Sequence, residues 1–226
     1  RARTGLASPI MGHADAEHVQ FESREQWRAW LAGHHATADG VWVIWFKKAT
    51  GKPSPTYVEL VLEALCFGWI DSRPGKVDAE RTKLYFCPRK KGSVWAATNK
   101  ARVVQLAAEG LMTPAGQALV EQAKADGSWS LLDASDALVT PDELVVAFDS
   151  YPGSSDYFTA FPASTRKQLL YWIDSAKRPQ TRATRVDEVA RLAQQKGECQ
   201  YIDRVLGAAI PDLLRKQPDA AFFKPL

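Results

Sequence analysis

The six residues Val41–Phe46 (VWVIWF) constrain this chain more than any others. Each is β-branched or aromatic, and none is polar. A strand with one wet face alternates apolar with polar side chains, so an unbroken apolar run of this length calls for a strand covered on both faces. Asp39-Gly40 turns the chain into that strand, and Lys47-Lys48 returns it to the surface before a Gly/Pro-rich loop at 50–55. At 226 residues and 46% hydrophobic, the chain is long and apolar enough to bury such a core.

Helix signals flank the run. Ser23 with Gln26 forms a capping box ahead of Trp27, Trp30 and Leu31, which recur at helical spacing and end at His34-His35. Thr56 with Glu59 forms a second box, and Val58, Val61, Leu62, Leu65, Cys66 and Trp69 follow helical spacing, which predicts a buried-face helix to about Phe67, stopped by Gly68. Ile70–Arg73 and Thr82–Cys87 read as strands joined by a turn at Pro74-Gly75. Ser93 is placed to cap a helix over Val94–Glu109, and Thr113-Pro114 to start another that ends at Gly127. Thr140-Pro141-Asp142-Glu143 predicts a third capping box and a helix to about Ser150. Helices near Ser164–Ala176 and Thr181–Lys196 follow, the last burying Val186, Val189, Ala190 and Ala193. The fold class expected is α+β: a small, mainly antiparallel sheet with packed helices, then a helical C-terminal half. The expected divisions are a flexible extension at 1–20, an α+β domain at 21–127, a helical region packed on it at 128–197, and a tail at 198–226.

Charge is patterned more sharply than the net +3 suggests. From Thr82 to Ala108 there are six basic residues and no acid; from Ala125 to Thr165 there are seven acids and no Lys or Arg. A small net charge does not by itself imply nucleic-acid binding, which would have to rest on the basic residues of 83–102 and 177–185. Cys66, Cys87 and Cys199 lack metal-ligand spacing and are odd in number, so a reducing, cytoplasmic setting is expected. No apolar run approaches the roughly 20 residues of a membrane span, so no membrane insertion is expected. Residues 1–10 lack a segment of signal-peptide type, and Met11 stands where a natural start could be. The four histidines fall in the first 35 residues without HExxH spacing, and neither GxSxG nor a phosphate-loop motif occurs. No metal and no cofactor is expected.

The densest mixture of reactive side chains is Phe67–Asn99. A helix start preceded by Arg89-Lys90-Lys91-Gly92 and opened by Ser93 would attract an anion through unpaired amides and partial positive charge. Asp71 stands at a strand end, where a carboxylate serves as a general base or as the partner of Arg73 or Arg89. The expected ligand set is therefore Lys47, Trp69, Ser72, Arg73, Arg89, Lys91, Ser93, Trp95 and Asn99, with Asp71 as the catalytic candidate. The charges would come from Lys47, Arg89 and Lys91, an apolar wall from Trp69 or Trp95, and a directed hydrogen bond from Asn99.

Four stretches carry a resemblance: WRAWLAGHHATADGVWVIWFKKATGKPSPTYVELVLEALCFGWIDS, PRKKGSVWAATNKARV, EGLMTPAG and WIDSAKRPQTRATRV. In this order, from about Phe21 to Gly197, they resemble the YdeI/OmpD-associated family, also labelled bacteriocin-protection proteins. Lys47, Trp69, Asp71, Ser72, Arg89, Ser93, Trp95 and Asn99 match the family pattern. The chain departs from it at Cys87, Val94 and Trp95-Ala96, where the pattern has Thr, Asn and Trp-Ser. The family labels imply a protective phenotype and a porin association rather than a reaction. The function expected is binding of an anionic small molecule, with two alternatives: nucleic-acid binding, or a non-enzymatic stress or antimicrobial-protection adaptor.

Overall fold

A computed structural model describes residues 15–194. They form two units, one of residues 15–91 and 102–121, the other of 92–101 and 122–194. The architecture is α+β, with a four-stranded mixed sheet in the N-terminal half and mostly helices in the C-terminal half.

In the first unit the strands are His18–Gln20 (β1), Val41–Phe46 (β2), Trp69–Lys76 (β3) and Arg81–Pro88 (β4). Their order is β1-β2-β4-β3; β1 runs parallel to β2 and the other pairings are antiparallel. The all-apolar strand is thus central. Val41 and Val43 pair with Phe86 and Leu84 on one face, where the Trp27 ring packs 5.3 Å from Phe86. Trp42 and Tyr85 on the other face cluster with Ala16. The first three residues of β2 are buried and the last three half-buried, so the two-sided cover is complete at one end only. Folded chain begins before Phe21, because β1 lies within the stretch expected to be flexible.

Helix α1 (Arg24–His34) has Ser23 as its cap, accepting from the Gln26 amide; the Gln26 side chain in turn accepts from the Glu22 N–H, one residue before a true box. Helix α2 (Tyr57–Cys66) carries the full Thr56–Glu59 box, and Gly68 (φ +75°) follows its end. Its buried face is Leu60, Val61, Ala64, Leu65 and Cys66, whereas Val58 is exposed. Between the two helices lies a buried Glu63, which accepts from Arg24 Nε at 2.5 Å and Arg28 Nη1 at 2.6 Å. Arg28 also donates to the Leu111 carbonyl at 3.0 Å.

Pro74-Gly75 is not the hairpin turn. Both residues lie within β3, after an irregularity between Asp71 and Pro74. A proline is tolerated there because β3 is the sheet edge, where an absent N–H costs no ladder bond. The reversal falls at 77–80, held by Asp78, whose carboxylate accepts from the Glu80 and Arg81 amides.

Helix α3 (Ala97–Ala108) starts three residues later than Ser93 predicts. Val94, Trp95 and Ala96 are buried ahead of it, and burial of those side chains overrides the local cap signal. Helix α4 (Pro114–Ala125) begins as expected, with the Thr113 hydroxyl accepting from the Gly116 N–H and donating to the Cys66 carbonyl. A Cβ at Gly116 would press into that same carbonyl, so glycine permits the close approach.

The second unit adds α5 (Asp133–Asp136), α6 (Asp142–Phe148), α7 (Ser154–Ala160), α8 (Ala163–Asp174) and α9 (Pro179–Gln194). Leu144, Phe148, Phe158, Leu169, Leu170, Ile173, Val186, Val189, Ala190 and Ala193 form its core. The third capping box does not form. Pro141 is the cap of α6, and the Glu143 carboxylate accepts from Arg182 Nε at 2.5 Å instead of reaching back to Thr140. The tail expected at 198–226 lies outside the described residues.

Glu63→Gln should destabilise the protein by about 3 kcal/mol, the low end for removing one charge of a buried pair, because both arginines keep about a third of their side-chain surface in water. A urea midpoint lowered at unchanged slope would register the loss.

Candidate functional site

Asp71 is 6% exposed, on the last regular pair of β3 before the bulge, opposite Phe86. Its Oδ2 accepts a 3.1 Å hydrogen bond from the Tyr57 hydroxyl. Tyr57 is the first residue of α2, and the Thr56 cap fixes that turn. Although 42% of Tyr57 is exposed, its hydroxyl meets the carboxylate. Burial pushes the Asp71 carboxyl above the usual carboxylate range; the Tyr57 hydrogen bond and the Arg102 and Arg89 charges oppose that shift without cancelling it. Burial, the Asp71 charge and the hydrogen bond push the Tyr57 phenol up to about 12, with Arg102 working the other way.

Arg89 follows β4 and is 5% exposed. Its backbone N–H donates to the Gly68 carbonyl at 2.9 Å, which anchors it beside the start of β3. Tyr57, Asp71, Arg89 and Arg102 therefore make one electrostatic group within the first unit. Two members were expected in the site. Arg102 belongs to the acid-free run, which is the signal pointing to it. Tyr57 has no sequence signal beyond its place after a capping threonine.

The remaining expected residues have other surroundings. Lys47 Nζ donates to the Asp78 and Ala79 carbonyls at 3.1 and 2.9 Å, closing the β3–β4 turn. Trp69 is 1% exposed, donates to the His35 carbonyl and meets Trp30 edge-on, so it fills the core. Ser72 is half-buried, and Arg73 and Lys91 are exposed. Ser93, Trp95 and Asn99 belong to the second unit. There Trp95 is buried against Trp129, with ring centroids 5.0 Å apart. The start of α3 already faces a carboxylate: Asp136 accepts from the Ala97 N–H at 3.3 Å and from Lys167 Nζ at 3.2 Å, and Lys100 pairs with Asp133.

Several other cations have internal partners. Lys83 Nζ lies 2.8 Å from His18 Nε2 and 4.4 Å from the Trp42 ring centroid. Arg182 pairs with Glu143 and Asp174, and Arg185 donates to the Trp172 carbonyl and Ser175 hydroxyl. Among the described residues no cluster of His, Cys, Asp or Glu could hold a metal ion, and no helix is long and apolar enough to cross a membrane.

Two family models match the chain. Residues 137–196 match the family described as Bacteriocin-protection, YdeI or OmpD-Associated, which supports the resemblance over α6 to α9. Residues 19–119, which hold the sheet and the Asp71 group, match a domain of unknown function, DUF8412. No curated protein and no solved structure matches the chain.

Because the folded chain raises the Asp71 pKa, it binds that proton more tightly than the unfolded chain does. Stability is therefore lost as pH rises from the ordinary aspartate range through the raised value. Asp71→Asn should remove this loss, making the protein more stable at neutral pH and flattening its stability profile between about pH 4 and neutrality. Tyr57→Phe should push the Asp71 carboxyl further up, because the phenol donates to the ionised form; a carbon-detected NMR titration reads that shift.

Proposed function

We propose that the protein binds an anionic small molecule at the Tyr57, Asp71, Arg89 and Arg102 group. The observation carrying this reading is a carboxylate whose ionisation is opposed by burial, set among two guanidiniums and a phenol. An incoming anion competes with Asp71 for the same positive charge. Asp71 yields that charge by taking up a proton, which burial already favours. The guanidinium groups then receive the ligand through charge-assisted hydrogen bonds, with the Tyr57 hydroxyl as a further donor. In the complex Asp71 holds that proton, so where a reaction follows it would begin as a proton donor rather than as the general base expected from the sequence.

Of the residues expected from the sequence, Ser72 and Arg73 remain beside this group along β3, whereas Lys47 and Trp69 have structural tasks. The cytoplasm is the compartment we propose, supported by an odd count of three cysteines without metal-ligand spacing.

Calorimetric titration of sulfate and inorganic phosphate into the protein tests the reading. Sulfate affinity should rise as pH falls from about pH 8 to about pH 5, because Asp71 must be protonated in the complex. Arg102→Gln should weaken binding about tenfold, the cost of one charged hydrogen bond, and Asp71→Asn should strengthen it. Absence of binding by either anion, or affinity indifferent to both substitutions, would sink the proposal.

A further inference from the structure

The outer face of α6 is a surface that the folded unit leaves unused. Leu144 and Phe148 turn inward to the core, at 0% and 8% exposed. Val145 and Val146 turn outward, at 53% and 66% exposed. Asp142 and Asp149 are also exposed, and helical spacing puts Asp142 three and four residues from the valines on one side and Asp149 four and three on the other. The face is therefore two adjacent valines with a carboxylate at each end, about 10 Å apart along the helix.

Three of the four side chains work against the helix that carries them. Valine is a weak helix former and gains nothing from exposure to water. Asp142 suits the first turn, but Asp149 occupies the C-cap, where the helix dipole disfavours a negative charge.

The acids around it sharpen the contrast. Asp133 pairs with Lys100, Asp136 with Lys167 and Glu143 with Arg182. Asp126 accepts from the Ser128 N–H. The side chains of Asp142 and Asp149 pair with no described residue. The stretch 125–165 contains no Lys or Arg of its own, and the cations that pair with it from other segments, Lys100, Lys167 and Arg182, go to Asp133, Asp136 and Glu143.

We infer that the outer face of α6 docks a basic amphipathic segment of another protein. The segment it fits carries Lys or Arg side chains about two helical turns apart, one for each carboxylate, with an apolar side chain between them against Val145 and Val146. The valines supply contact area, and the flanking aspartates set register and exclude acidic competitors. Such a contact is small, so affinity is modest and falls with salt.

The test uses the full chain and a fluorescein-labelled helical peptide with two arginines spaced as Asp142 and Asp149 are, and leucines between them. Fluorescence anisotropy should show saturable binding. Val146→Ser and Asp149→Asn should each weaken it, by about tenfold together. Asp156→Asn, at another exposed acid, should leave it unchanged, and a peptide with both arginines at one end should bind more weakly. All three substituted positions are exposed, and amide NMR spectra of the variants should retain the wild-type dispersion. Four results would overturn the inference: no peptide binding, binding equally sensitive to Asp156→Asn, binding indifferent to the α6 substitutions, or sedimentation showing this face occupied by a second copy of the chain.

Discussion

The first unit depends on one buried carboxylate. Glu63 is almost wholly removed from water, a position costly for an ionised group without partners. Arg24 and Arg28, one turn apart on α1, both reach it and so fix how α1 lies on α2. Arg28 continues to the Leu111 carbonyl, and α4 meets the end of α2 through Thr113 and the Cβ-free surface of Gly116. With α2 held at its middle and its end, its first residue, Tyr57, is placed against Asp71. Gly68 then sends the chain into β3, the strand that carries Asp71. The geometry of the candidate site is thus set by an ion triad that touches none of its members.

Much of this was legible in the sequence because the signals were local and unopposed. Val41–Phe46, the Thr56–Glu59 box, Gly68 and the Pro114 start all express short-range chemistry that tertiary packing reinforces. The misreadings share one cause. Ser93 and Thr140 have the right neighbours for caps, but burial of Val94–Ala96 and the pull of Arg182 on Glu143 outweigh a single hydrogen bond. Pro74-Gly75 carries a turn signature, yet an edge strand accepts proline, and Asp78 offers a better-bonded turn nearby. Glu63 could not be singled out, since its arginines lie 39 and 35 residues away.

The candidate site was half legible. Asp71 and Arg89 stand out as charged residues at the ends of apolar strands. Tyr57 and Arg102 join them only through folding, and the residues expected at the α3 start find a different environment. There the helix starts at Ala97, whose amide donates to Asp136, whereas the anion was expected at a helix start on Ser93. This is the wider pattern of the acid-only stretch: three of its carboxylates neutralise cations of the same unit, so neither the charge runs nor their totals describe the charge left available.

What remains after that neutralisation is informative because it runs against stability. Asp71 is kept where burial opposes its charge, although an uncharged side chain of the same shape would fit. Asp149 is kept at a helix C-cap and two valines on a wet helix face, although a Lys at the first and Ala or Glu at the others would favour the helix. Elsewhere the same chain solves these problems correctly, with a full capping box at α2 and a threonine cap with proline at α4. A sequence that is locally consistent at most positions and inconsistent at a few concentrates its function at the few. By that criterion Asp71 in the first unit and the outer face of α6 in the second are the places where we propose function.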